Sequence, residues 1–175
     1  MIYGLVIESE LHLTSVDEAT DEDGGAAIEL AFGSPQELQA ATPAVAADPD
    51  DWLRHVVLAD GRLYIKLGNI FETVISADGR TVICAPPGDV DRRSFEASLM
   101  NYVLSAALTL QGEEPLHSTV VEFDGRAVGL LGRSGAGKST LAACLIGKGA
   151  DLFTDDMLRL HFAGGAAMAW RDRTG

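Results

Sequence analysis

Eight residues, Gly132-Arg-Ser-Gly-Ala-Gly-Lys-Ser139, constrain this chain more than any others. The pattern G-x-x-x-x-G-K-[ST] is met in full by Gly132, Gly137, Lys138 and Ser139. Such a loop turns with its N–H groups pointing inward, because side chains at its glycines would block both the turn and the approach of an anion. It must then open a helix, whose first N–H groups and dipole favour negative charge. The flanks agree: Ala127-Val-Gly-Leu-Leu131 reads as a buried strand running in, and Thr140-Leu-Ala-Ala-Cys-Leu-Ile146 as a helix running out. The region is therefore α/β, and its chemistry is that of nucleoside triphosphate binding. The candidate nucleotide-binding residues are Gly132, Ser134, Gly135, Ala136, Gly137, Lys138, Ser139 and Thr140. Lys138 has the reach for β- and γ-phosphates, and the Ser139 hydroxyl suits Mg²⁺.

Length and composition narrow the rest. At 175 residues the chain can bury one sizeable core, alone or with a small appended subdomain. A hydrophobic content of 47% with 22% charged residues is that of a soluble globular protein. The net charge of −13 argues against a general nucleic-acid or anionic-membrane surface. ATP is not excluded by it, since the loop supplies its own local positive field and distant charge is screened. Cys84 and Cys144 lack metal or redox spacing and read as small buried apolar residues in a reducing compartment. The apolar start Met1-Ile-Tyr-Gly-Leu-Val-Ile7 has no basic region before it and is interrupted by Glu8 and Glu10, so it reads as a strand. No apolar run is long enough to span a membrane. A cytoplasmic protein is expected.

Along the chain, residues 1–88 read as a β-rich subdomain. Strands are expected at Ile2–Ile7 and Ala26–Phe32, and the acidic segment Asp17–Asp23 between them reads as a solvated loop without calcium-ligand order. A proline-bearing connection follows, with a short helix at Gln36–Ala40. Trp52–Leu58 pairs with Arg62–Leu67 through Asp60-Gly61, and Ile70–Ile75 with Arg80–Cys84 through Asp78-Gly79. The same chemistry, Asp124-Gly125, joins Thr119–Phe123 to Arg126–Leu131. Asp-Gly between apolar runs is a hairpin signal, because type I′ turns need φ > 0 at both central residues. Pro86-Pro87-Gly88 marks a boundary, which opens a second domain at 89–175. Its first element is a helix, Asp91–Leu110, with Phe95, Leu99, Val103, Ala106 and Leu110 on one face. Past the loop helix, Gly147-Lys-Gly149 is a stop, and strands are expected at Ala150–Thr154, Leu158–Phe162 and Ala166–Trp170. The strand feeding the loop comes out of a tight hairpin, so its neighbour is antiparallel and the sheet is mixed.

Phosphoryl transfer needs a carboxylate to take a proton and another to hold Mg²⁺. Asp155 and Asp156 stand at the expected C-terminal end of a strand, where α/β proteins collect ligand groups. In extended backbone their side chains point opposite ways, so one can face a metal while its neighbour faces an acceptor. His117 opens the hairpin strand before the loop. Together, Leu116-His117, the hairpin, Gly132–Thr140, Gly149 and Asp155-Asp156 resemble the catalytic domain of the HPr kinase/phosphorylase family. The spacings from His117 to Lys138 and from Lys138 to Asp156 agree with that family without gaps, and the likeness runs from Pro115 to Leu160. The resemblance implies a P-loop domain with a mixed sheet, of the HPr kinase/PEP carboxykinase-like type, preceded by the β-rich N-terminal subdomain. It further implies that Asp156 is the general base, that Lys138 binds phosphate, that Ser139 and Asp155 ligate Mg²⁺, and that Asp155 and His117 support the site. The N-terminal half is similar to the shorter HPr-kinase-like proteins of peptide-biosynthesis clusters, lasso peptide kinases among them. Those use ATP to phosphorylate a serine hydroxyl on a peptide, so the implied partner is a protein or peptide bearing serine.

The family's second Mg²⁺-binding carboxylate would fall beyond Gly175, and Trp170-Arg-Asp-Arg-Thr-Gly175 does not read as the end of a helix or strand. The expectation is a fragment or a shortened relative. An apolar face from Leu158, Leu160, Phe162, Met168 and Trp170 would then lack cover and drive self-association into a homo-oligomer. Two other readings remain open: a non-catalytic ATP-binding sensor or partner module, and an ABC-type ATPase. The second is opposed by the absence of an L-S-G-G-Q-like signature and of a downstream apolar strand ending in Asp-Glu.

Overall fold

The computed structural model describes residues 5–9, 13, 27–41, 52–85, 90–155 and 157–169. The fold is mixed α/β, and the chain divides into two compact units, one running to Glu113 and the other starting at Glu114.

The first unit is a six-stranded mixed sheet in the order β1-β2-β6-β5-β4-β3, where β1 is Val6–Ser9, β2 Ala27–Phe32, β3 Leu53–Val57, β4 Leu63–Leu67, β5 Phe71–Ile75 and β6 Thr81–Ala85. β3 to β6 form the expected antiparallel hairpins, whereas β1, β2 and β6 run parallel. Alternation along the strands gives the sheet two buried faces. On one, Leu38 of the short helix Pro35–Ala41 packs with Tyr64, Val74 and Ala85. On the other, Phe95 sits between Phe32 and Phe71, with ring centroids 6.0 and 6.4 Å away.

Phe95 belongs to a helix over 92–110 in three parts: α-helical Arg92–Ser98, π-helical Leu99–Leu104 and α-helical Ser105–Leu110. Asp91 caps it, its carboxylate accepting from the Ser94 N–H and hydroxyl, both at 2.9 Å. The buried residues are Phe95, Glu96, Leu99, Met100, Val103, Leu104, Ala107 and Leu108. They recur every four residues, because the π segment is under-wound relative to an α-helix. The apolar face thus departs from the expected one at Ala106 and Leu110, which give way to Ala107 and Leu108. This helix lies in the first unit, so the division falls after Glu113 and not at residue 88. The reason is its packing on the first sheet, where Gln111 Nε2 also donates to the Gly79 carbonyl at 2.9 Å.

The second unit holds β7 (Leu116–His117), β8 (Thr119–Phe123), β9 (Arg126–Leu130), the helix Lys138–Ile146, β10 (Asp151–Thr154), β11 (Met157–Leu158), β12 (Leu160–Ala163) and β13 (Ala166–Ala169). β8 pairs with β9 on one side and β10 on the other, both antiparallel. Among the described residues the expected mixed sheet is therefore in the first unit, and this one is antiparallel throughout, because each of its pairings is made by a chain that has reversed direction. Ala142 and Leu145 of the helix pack with Val121, Leu130 and Ala150. The helix ends on Gly149 at φ 98°, where the Ala150 N–H reaches the Leu145 carbonyl at 3.1 Å and the Gly149 N–H the Ile146 carbonyl at 3.0 Å.

Only one hairpin turn has the expected form. Asp124 and Gly125 both have positive φ, 49° and 71°. At the other two, only Gly61 and Gly79 are left-handed; the turns close from the Gly61 N–H to the Leu58 carbonyl and from the Gly79 N–H to the Ser76 carbonyl. Of the expected apolar face, Phe162 and Met168 are exposed. Leu158 is instead buried in β11, which pairs with β7, and Trp170 lies outside the described residues. Residues 17–23, 86–88 and the first part of the Ile2–Ile7 strand also lie outside them. Cys84 is buried as expected, but Cys144 is exposed, because its helix is apolar on every side and buries only Ala142.

Candidate functional site

A pocket of about 350 Å³ in the second unit is lined by His117, Thr119, Ser134, Gly135, Gly137, Lys138, Ser139, Thr140 and Asp155. Two structural elements build it. One is the glycine loop, in which Gly135 and Gly137 hold φ of 78° and 86°, values that side chains with a Cβ resist. Gly137 precedes the first residue of the helix, and its carbonyl accepts the Leu141 N–H at 2.9 Å to start the first turn. A Cβ on either glycine would meet no heavy atom within 4 Å, so the space beside the loop backbone is open. The Lys138 Nζ donates to the Gly132 carbonyl at 2.9 Å and reaches the Arg133 carbonyl at 3.4 Å.

The other element is the strand pair opposite. His117 and Thr119 are two residues apart on one extended segment and so share a face. Val121 continues that face, and Val121 packs with Ala142 of the helix. Asp155 follows β10 and is exposed, while Thr119 is buried. The Thr119 Oγ1 donates to Asp155 Oδ1 at 2.6 Å. Thr154 points away from this face and is itself buried, its hydroxyl 3.3 Å from the Met157 carbonyl.

Of the residues expected from the sequence, the pocket brings together His117, Ser134, Gly135, Gly137, Lys138, Ser139, Thr140 and Asp155. Gly132 and Ala136 do not line it; they shape the loop, Gly132 through its carbonyl on Lys138 and Ala136 through its N–H on the Arg133 carbonyl at 3.1 Å. Asp156 lies outside the described residues. Thr119 was not foreseen. In the sequence it is a β-branched residue in a strand, which packing alone accounts for.

A phosphate chain with its cation suits these residues. Open space flanks a loop of backbone N–H groups, one ammonium stands at its edge, and the hydroxyls of Ser139 and Thr140 share a pocket with one carboxylate. No protein-family model matches the chain, and no curated protein matches it. Among the described residues no helix is long and apolar enough to cross a membrane.

Proposed function

We propose that this chain is an ATP-dependent serine kinase of the HPr-kinase-like type, with a P-loop domain of that fold in its second unit. The observation that carries the reading is one pocket shared by the glycine loop, Lys138, Ser139, Thr140, His117 and Asp155. Loop N–H groups and Lys138 bind and orient the triphosphate, the lysine exchanging its loop carbonyls for phosphate oxygens. Ser139 and Asp155 are the groups that would hold Mg²⁺, which supplies neutralisation of phosphate charge. The serine hydroxyl of a protein or peptide attacks the γ-phosphorus in line. The new O–P bond forms as the bond to the β,γ-bridging oxygen breaks, ADP leaves, and the hydroxyl proton passes to the Asp156 carboxylate. His117 stands beside Asp155 as a supporting polar group.

The test is transfer of label from γ-³²P-ATP to a library of serine-centred peptides, set beside ATP binding by calorimetry. Asp156→Asn should keep ATP affinity within a few-fold and lower transfer on the order of 10²–10⁴-fold, the usual cost of a lost general base. Transfer at the wild-type rate would put the base elsewhere. Tight ATP binding by the wild type without transfer to any peptide would assign the chain to non-catalytic nucleotide binding instead.

A further inference from the structure

We infer that Thr119 is a positioning residue that, together with a one-residue bulge in β10, sets the Asp155 carboxylate in the pocket; the inference rests on the nucleotide–cation reading of that pocket. The register between β10 and β8 carries the argument. Asp151 pairs with Glu122 and Leu152 with Val121, but the next pair is Thr154 with Val120, so Phe153 is the extra residue. The shifted register persists beyond the sheet, where Met157 pairs with His117 and Leu158 with Leu116.

This shift decides which face Asp155 occupies. With the bulge, Asp155 falls opposite Thr119, and the hydrogen bond at 2.6 Å joins them. Without it, Asp155 would fall opposite Ser118, whose neighbours His117 and Thr119 both line the pocket while it does not. A slip of one residue sends every side chain to the opposite face of a strand. The bulge is therefore what directs this carboxylate to the loop.

Thr119 then fixes its orientation. It is buried, and its β-branched side chain has few rotamers to visit. The hydroxyl occupies one side of Oδ1 and holds the carboxylate plane, which leaves Oδ2 for a cation beside Ser139. Groups that orient a metal-binding carboxylate in this way typically change metal affinity by about 10- to 100-fold when removed.

The experiment is ATP binding by calorimetry as a function of Mg²⁺, with Mn²⁺ binding in the presence of ATP followed by electron paramagnetic resonance. Thr119→Val keeps the buried volume and removes the hydroxyl. It should raise the Mg²⁺ or Mn²⁺ needed for half-maximal effect by about 10- to 100-fold, leave ATP affinity in EDTA unchanged, and be rescued by Thr119→Ser. In Asp155→Asn the further change Thr119→Val should add almost nothing, since the two act through one carboxylate. If Thr119→Val does not fold, Thr119→Ala is measured in the same way. Wild-type cation dependence in the hydroxyl-free variant would overturn the inference while leaving the nucleotide reading intact. Absence of ATP binding by the wild type, with or without cation, would overturn that reading and the inference with it.

Discussion

Replacing Lys138 by Ala should remove ATP-dependent stabilisation and leave the unliganded fold nearly untouched. In the free protein the ammonium makes only two bonds, to the Gly132 and Arg133 carbonyls of its own loop. Both carbonyls lie on exposed residues that water can satisfy, so their loss should change stability by less than about 1 kcal/mol. With ATP bound, the same deletion leaves phosphate charge unpaired, at a cost of roughly 2–5 kcal/mol of affinity, or about 30- to several-thousand-fold. At ATP near 100 times the wild-type Kd, the wild type gains about 2.7 kcal/mol. For a chain of this size that corresponds to a rise in melting temperature of about 5–11 °C. A variant weakened 100-fold gains only about 0.4 kcal/mol under the same conditions, about 1–2 °C. Differential scanning fluorimetry with and without MgATP reads both numbers. A Lys138→Ala protein that melts as the wild type does without ligand and still rises by the full wild-type increment with ATP would refute the assignment of this loop.

In the first unit, Gly79→Ala should cost about 2–4 kcal/mol by chemical denaturation, combining a left-handed φ with a Cβ driven into the Ala107 carbonyl. Gly112→Ala, at φ 85° with nothing within 4 Å of its Cβ, should cost only about 1–2 kcal/mol, and equal losses would deny the packing at Gly79. Asp91→Ala should lower the melting temperature at neutral pH by removing the helix cap. The Ser94 N–H and hydroxyl hold the Asp91 carboxyl below its ordinary 3.8, so the cap's contribution is present above that value and is lost as the pH falls through the lower folded one. The gap between wild type and variant should therefore narrow in acid, and a gap independent of pH would assign it to something other than the charge. Titration with a thiol reagent should label Cys144 in the native protein and Cys84 only on unfolding, since burial pushes the Cys84 thiol up to about 12; two fast thiols in the native state would contradict the burial.

The local elements were legible because their signals are local. Alternating apolar residues bounded by Asp-Gly gave β3 to β6 and the β8–β9 hairpin, and the loop pattern gave the glycine turn and the start of its helix. Gly149 gave the helix stop. What escaped the sequence depends on relations between distant segments. Parallel pairing of β1, β2 and β6 has no turn to announce it. The π segment shifts a helical face by a residue with no glycine or proline to mark the place. The helix after the loop is apolar all round, so periodicity offers no inner face, and Cys144 came out exposed. In the candidate site, His117, Lys138, Ser139 and Asp155 were visible as residue types suited to phosphate and cation. Thr119 was not, because its role depends on a bulge at Phe153 that leaves no compositional trace.

The π segment in the 92–110 helix behaves as a clock setting. The α-helical turn Ser105–Leu110 inherits its angle from Leu99–Leu104, and that angle turns the Ala107 carbonyl and Gln111 toward Gly79 at the tip of the β5–β6 hairpin. Removing one residue between Leu99 and Leu104 would let the winding relax to α and rotate everything downstream by about 100°. Leu108 would swing out of the core, and the hairpin tip would face different atoms. The helix can therefore accept changes of side chain at its solvent-facing positions far more readily than a change of length, because the sheet beneath reads its phase.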